Sequence, residues 1–271
     1  MIKKFVLESL AEDVGRGDLY ALVFEAVAAS ANINAKSDGI LAGQKYCDVL
    51  AKEEGLFITW NIIDGEAFSK GDCIAVVEAD SHTLLRCERS LLNMLLHASS
   101  IATLTYKFAA IVKSYNTRLL DTRKTRPMLR VFEKYATRCG GAINHRMGLD
   151  DCLMLKDTHL KTITDLDAFM QEARQKIPFT SKIEIEAESF EDAKRFMKAG
   201  ADIVMCDNMT PDALAEVVVY KKEHYPHVLL EASGNISLDT IEAYAATGVD
   251  AISSGALIHQ ANWIDLSMKV N

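Results

Sequence analysis

The sequence predicts a mixed α/β chain, an α+β unit followed by a barrel of parallel βα units, on three observations. After Thr117, short apolar runs recur, each ending in a polar group and mostly followed by a helical segment. Before Ser81, strand-like runs cluster with few helical crossovers, the pattern of an antiparallel sheet. Between them, Ser81 to about Tyr115 is long and helical, with Leu84, Leu85, Leu91, Leu92, Leu95, Leu96 and Leu104 on a broad apolar face.

At 271 residues the chain is long enough for one large barrel or two domains. Its 49% hydrophobic and 25% charged residues are ordinary for a soluble globular protein. A formal net charge of −8 argues against nucleic acid as the main partner, because neutralising phosphates requires a basic face. The first helix carries Ile2, Phe5, Val6, Leu10 and Val14, but Glu8 and Glu12 break its apolar run, so it is no signal peptide. The most apolar run, Leu91 to Leu104, is interrupted by Asn93, His97, Ser99 and Ser100 and is too short to span a bilayer. Six cysteines, Cys47, Cys73, Cys87, Cys139, Cys152 and Cys206, form no CxxC pair, which suits a reducing, cytoplasmic setting and disfavours structural zinc.

In order, the first unit reads as a helix to Val14, a turn at Gly15–Asp18 and a second helix through about Ser30. Strands at Ile33–Ala35 and Phe57–Ile62 flank a helix near Gln44–Ala51, and a strand at Cys73–Val77 follows the turn Ser69–Asp72. Seven runs make the barrel. They are Leu119-Leu120 before Asp121, Ala142-Ile143 before Asn144, Leu153–Leu155 before Lys156, and Ile183–Ala187 carrying Glu184 and Glu186. Ile203–Cys206 before Asp207, Val228–Leu230 before Glu231, and Ala251-Ile252 before Ser253 complete the set. So regular a series closes more economically into a barrel than into an open doubly wound sheet, and no GxGxxG follows any strand.

Barrels keep their active sites at the C-terminal strand ends. From Asp121 to Arg146 there are seven Arg or Lys residues against two acids, in a chain that is acidic overall. Arg123, Lys124, His145, Arg146 and Lys156 converge on the barrel mouth under this register, which suits an anionic small molecule. Arg130, Lys134 and Arg138 have helical spacing and divide between a solvated face and the edge of the site. Glu186 and Asp207 end neighbouring runs; a carboxylate pair there suits hydrated Mg²⁺ or pairs with the cations. The turns Ser233-Gly234-Asn235 and Ser253-Ser254-Gly255 each open a helix, offering backbone N–H groups to phosphate or simply capping the helix. His145 suits a general acid/base, an anion donor or a structural role. Lys124 or Lys156, desolvated among cations, also suits a Schiff base.

The segments LAEDVGRGDL, ERSLLNMLLHASSIATLT, DTRKTRPMLRVFEKYATRCGGAINHRMGLDDCLMLKDTH, IEIEAES, AGADIVMCDN, LEASGNIS and GVDAISSGALIH span nearly the whole chain in the order they take in a known family. The chain resembles quinolinate phosphoribosyltransferases. The resemblance implies an N-terminal α+β sandwich, residues 1–98 joined by 261–271, and an incomplete seven-stranded α/β barrel at 99–260 that holds the site. It implies a glycosyltransferase that joins quinolinate to phosphoribosyl pyrophosphate with loss of CO₂, giving nicotinate mononucleotide for NAD biosynthesis, with Mg²⁺ and no prosthetic group. Carried over by position, Arg123, His145 and Arg146 hold the quinolinate carboxylates. Lys124, Lys156, Glu186 and Asp207 are the catalytic set, Glu186 and Asp207 also meeting Mg²⁺ directly or through water. Ser233, Gly234, Asn235, Gly255 and His259 bind phosphate. Arg89 is lent by a neighbouring subunit, which implies a homodimer, either alone or within a hexamer. Departures are Arg126 and Met128 for a frequent Thr and Gly, Asn235 for Gly, Ser254 for Val and Tyr20 for Thr. Arg126 is expected to add charge beside the site. A non-catalytic oxyanion-binding protein on the same scaffold is the other reading, and the complete Arg123, His145, Arg146, Lys156 set weighs against it.

Overall fold

In the computed structural model, which describes residues 1–271, helix α1 (Ile2–Val14) buries Val6 and Leu10 and stops at Gly15, whose φ of 57° favours glycine. The chain continues through β1 (Ala28–Ala35), β2 (Gly39–Ile40), α2 (Gln44–Glu54), β3 (Phe57–Trp60), β4 (Ala67–Phe68) and β5 (Cys73–Asp80). The helix expected through Ser30 is not formed: Tyr20–Leu22 make one 3₁₀ turn and the chain is extended from Ala28. The reason is non-local. β1 pairs antiparallel with β5 on one edge and with the C-terminal strand Leu266–Val270 on the other, and alternate residues Ala31, Ile33 and Ala35 are buried. Two ladders and an apolar face outweigh the helix preference of the alanines. The sheet order is the C-terminal strand, β1, β5, β3, with β2 and β4 paired separately.

Helix α3 (Ser81–Val112) runs on into a 3₁₀ turn at Lys113–Tyr115. The helical segment has the extent its apolar face predicts, Ser81 to Tyr115, and by length and hydropathy alone it is long and apolar enough to cross a bilayer. In the protein 56% of its most apolar window is buried, and Leu84, Leu91, Leu95 and Ile101 are inaccessible, as in a core helix. One compact unit comprises Met1–Tyr106, Tyr135–Gly141 and Ala261–Asn271, and the other Lys107–Lys134 and Ala142–Gln260.

After α3 the chain runs through β6 (Arg118–Leu120), α4 (Arg130–Cys139), of which Tyr135–Cys139 count with the first unit, and then, in the second unit, β7 (Leu153–Leu155), α5 (Asp157–Leu160), α6 (Leu166–Lys176), β8 (Ile183–Ala187) and α7 (Phe190–Lys198). It closes with β9 (Ile203–Asp207), α8 (Pro211–His224), β10 (Leu229–Ser233), α9 (Ile241–Ala246), β11 (Ala251–Ser253) and α10 (Ala256–His259). Caps mark the helix starts: Asp165, Ser189 and Thr210 accept the N–H three residues on, and Pro211 follows at N1. The parallel order is β6-β11-β10-β9-β8-β7. Six of the seven expected runs are strands, and Ala142-Ile143 joins only through a single parallel bridge, Leu120 to Ile143. Beyond Ile143 the backbone is diverted, because the His145 N–H donates to the Asp121 carboxylate at 2.8 Å. The barrel is therefore incomplete, open between its second and third runs.

Candidate active site

Parallel register decides which side chains face the barrel axis. Glu184 is level with Met154 and Ile203, Glu186 with Met205, Met205 with Glu231, and Asp207 with Ser233. Because side chains alternate, Glu184, Glu186, Met205, Asp207, Glu231 and Ser233 share one face with Lys156, two residues beyond Met154. The other set, including Ile183, Ile185, Val204, Cys206, Leu230 and Ala232, is buried. The first face, with the loops after β6 and Ile143, encloses a cavity of about 650 Å³, within the range of small-molecule sites.

One side of the cavity is cationic. Thr122, Arg123, Lys124, Arg146 and Lys156 line it, and the Lys124 N–H donates to Thr122 Oγ1 at 3.0 Å, turning the loop at the end of β6. Arg146 Nη1 donates to the Cys152 carbonyl at 3.0 Å. Arg123 Nε is buried with no hydrogen-bond partner, and burial followed by repulsion from Arg146 and Arg130 lowers its proton affinity. A buried donor of that kind is costly unless a ligand completes it.

The facing side is acidic. Lys156 Nζ lies 3.2 Å from Glu186 Oε1, and Asp207 is raised above its usual range by burial and then by the Glu186 charge. Asn208 donates from Nδ2 to Asp207 Oδ2 at 2.7 Å and accepts from Asn235 Nδ2 at 3.1 Å. Gly234 and Asn235, at φ 96° and 52°, are left-handed, so Asn235 adopts the conformation that glycine would. Ser254 Oγ donates to the Ile236 carbonyl at 3.1 Å, tying together the loops after β10 and β11.

The floor is a buried trio. His145 Nε2 lies 3.2 Å from both Glu184 Oε2 and Glu231 Oε2, while Nδ1 accepts the Arg146 N–H at 2.7 Å. Nε2 thus carries the ring hydrogen and shares it with two acids. Burial opposes charge on His145, but the bonds and charges of Glu184 and Glu231 prevail and push it up to about 10. Glu184 is likewise raised, by burial first, so the high proton affinity belongs to the trio.

Of the residues expected at the site, Arg123, Lys124, His145, Arg146, Lys156, Glu186, Asp207, Ser233, Gly234 and Asn235 line one cavity. Gly255 and His259 do not line it but back onto it: a Cβ on Gly255 would come within 2.9 Å of Lys124 Cδ and 3.3 Å of the His259 ring. Arg89 is exposed on α3, outside the lining. Lys134 belongs neither to a solvated face nor to the site edge, being fully buried against Asp121, which also accepts from Asn144 at 2.6 Å. Arg130 bonds the Met147 carbonyl at 3.0 Å and Arg138 is exposed. The charge expected from Arg126 is partnered, with Nη1 lying 2.6 Å from Glu133 Oε1. Glu231, which ends the Val228–Leu230 run, lines the cavity as well, and Glu184, Asn208 and His159 are neighbours that strand ends alone did not single out. The alternation in Ile-Glu-Ile-Glu-Ala already placed Glu184 on the face of Glu186.

Two family profiles match: the quinolinate phosphoribosyl transferase N-terminal domain over residues 18–99 and its C-terminal domain over 101–269. The probable nicotinate-nucleotide pyrophosphorylase (carboxylating) of Synechocystis is 36% identical, the match covering 100% of this chain and 92% of that protein. The human nicotinate-nucleotide pyrophosphorylase (carboxylating) is 35% identical over 96% of this chain and 89% of its own. The solved nicotinate-nucleotide pyrophosphorylase of Francisella tularensis superposes with a TM-score of 0.94 at 34% identity, covering 100% of this chain and 96% of that one.

Proposed function

Because the chain belongs to the quinolinate phosphoribosyl transferase family, we propose that its barrel cavity joins quinolinate to phosphoribosyl pyrophosphate and releases CO₂. The products are nicotinate mononucleotide and pyrophosphate, a step of NAD biosynthesis. The observation that carries the assignment of sides is the buried, unpartnered Nε of Arg123 beside Arg146. A guanidinium pair suits a rigid aromatic dicarboxylate, which presents planar, bidentate acceptors. Quinolinate lies against Arg123, Arg146 and the ring of His145. Lys124 and Lys156 stand between it and the phosphoribosyl donor, whose phosphates meet the Ser233–Asn235 loop and the turn of Gly255 and His259, with Gly255 packed closely behind Lys124.

The pyridine nitrogen attacks the anomeric carbon as pyrophosphate departs, through a transition state with oxocarbenium character. The carboxylate beside the quaternised nitrogen then leaves as CO₂, its bonding electrons are stabilised by the cationic ring, and a proton takes its place. The protein supplies alignment and fixed charge, effects that can each amount to several kcal/mol. Glu186 and Asp207 fit Mg²⁺: burial first and then the Glu186 charge raise Asp207, and a divalent cation offsets both, while carboxylates plus substrate phosphates are its usual donors. Bound there, Mg²⁺ would neutralise charge on the departing pyrophosphate. No prosthetic group is needed for either step.

Arg89 reaches a cavity by way of a second copy, as a homodimer alone or within a hexamer. The six free cysteines suit a cytoplasmic enzyme. Purified protein given quinolinate, phosphoribosyl pyrophosphate and Mg²⁺ forms nicotinate mononucleotide; acceptance of nicotinate in place of quinolinate would overturn the substrate assignment. Arg123→Ala and Arg89→Ala each abolish turnover, and mixing the two restores part of it through hybrid dimers. No recovery in correctly folded mixed dimers would sink the shared site.

A further inference from the structure

We infer that Asn208 is a positioning residue that sets the phosphate loop against Asp207, an inference that rests on the phosphate reading of that loop. Asn208 follows Asp207 at the end of β9, and its N–H donates to the Ser233 carbonyl at 2.9 Å, extending the β9–β10 ladder past Asp207. Its φ of 55° then turns the chain left-handed. The side chain makes two bonds of opposite sense: Nδ2 donates to Asp207 Oδ2 at 2.7 Å, and Oδ1 accepts from Asn235 Nδ2 at 3.1 Å. A carboxamide does both, whereas an acid in its place has no hydrogen for Asp207 when ionised and repels it.

The same amide explains Gly234. A Cβ there would collide with Asn208 Oδ1 and come within 2.6 Å of Cγ and 2.7 Å of N, and φ at Gly234 is 96°. Gly234 is therefore glycine both for its backbone and because Asn208 fills the space its side chain would need. Asn235 completes the link: where the resembling family commonly has a second glycine, this chain carries an amide that bonds Asn208. One oxygen of Asp207 is fixed by Asn208, leaving the other for the ligand. The chain Asp207, Asn208, Asn235 thus couples the carboxylate side of the cavity to the phosphate loop without any of the cationic residues.

Three variants separate the two bonds. Asn208→Asp keeps an acceptor for Asn235 but loses the donor to Asp207; Asn235→Gly keeps the left-handed backbone and loses only the loop bond; Asn208→Gly loses both while tolerating the turn. Calorimetric titration with phosphoribosyl pyrophosphate, without quinolinate, is expected to show roughly 10-fold weaker binding for each single-bond variant. KM for phosphoribosyl pyrophosphate rises in step, while KM for quinolinate changes less than about 2-fold. The double variant Asn208→Gly/Asn235→Gly binds no more weakly than Asn208→Gly alone, because both remove one network. Equal changes in the two KM values, or additive losses, overturn the inference, and melting curves identify any variant whose loss reflects unfolding. Gly234→Ala distinguishes the two levels. If it leaves phosphoribosyl pyrophosphate binding intact, the phosphate reading of the loop fails. If it weakens binding while the Asn208 variants do not, the positioning role alone fails.

Discussion

Two groups of cations from one basic stretch meet opposite fates. Arg123, Lys124 and Arg146 line the cavity, and Arg123 keeps a buried Nε without a partner. Lys134 and Arg126, from the same stretch, are partnered by Asp121 and Glu133, acids that are themselves fully buried. An excess of positive charge in sequence is therefore not the charge of a site. What separates the groups is whether the fold places an acid within reach: Asp121 and Glu133 consume Lys134 and Arg126, and Arg123, Lys124 and Arg146 stay available for a ligand.

The largest test of this division is Lys134→Ala. It leaves Asp121, fully inaccessible, without the ammonium that offsets its burial, and breaking a buried pair costs about 3–5 kcal/mol. Urea unfolding should show that loss; a change below about 1 kcal/mol would mean that Asn144 and the His145 N–H satisfy Asp121 unaided.

This division was only half legible in the sequence. Lys156, Asp207 and Glu231 could be placed because an apolar run that ends in a polar residue marks a barrel strand and its C-terminal end. Lys134 could not, because a lysine on an amphipathic helix reads as solvated until its partner, thirteen residues earlier in the chain and in another element, is known to be buried. The mistaken helix after Leu19 has the same origin: β1 is held by β5 and by the last residues of the chain, pairings that no local propensity encodes. Glu184 lay between these extremes, visible in strand alternation although it sits inside its strand and not at its end.

Arg126→Thr probes the consumed group more gently. The Arg126 side chain is 45% exposed, so solvent screens its pair with Glu133, and the Arg126 N–H, 2.9 Å from Glu133 Oε2, is kept in the variant. The expected loss is about 1–2 kcal/mol of stability, with KM for quinolinate unchanged within about 2-fold. A several-fold change in that KM would show that Arg126 acts on the ligand after all.

A pH titration sharpens the contrast between cavity cations and the buried floor. His145 is raised from 6.5 to about 10 in the folded protein, so the folded form binds the proton more tightly than the unfolded chain. That stabilisation is complete below about 6.5 and is lost as pH rises through the folded value. Glu231→Gln removes one of the two acids that hold the proton, so the fall in Tm, which begins near the unfolded value in both proteins, ends at lower pH and is smaller than in the wild type. Identical profiles of Tm against pH from 6 to 10 would refute the trio as a proton-holding unit.

The smallest effect lies in the same loop and involves no charge. Met128 has φ 65° and is 97% exposed, so its side chain packs against little while its backbone takes the left-handed form that costs an ordinary residue about 1–2 kcal/mol. Met128→Gly removes that strain but adds freedom to the unfolded chain, which returns about 0.5–1 kcal/mol. The net gain is expected to be at most about 1 kcal/mol, a rise in Tm of about 2 °C for a chain of this size. Turnover should be unaffected if Arg123 and Lys124 are held by the Thr122 turn and by Glu133 on either side of them. A drop in turnover alongside the rise in Tm would instead show that the left-handed bend at Met128 shapes the cationic loop, making strain, as well as unpaired charge, a property of the cavity side of the stretch.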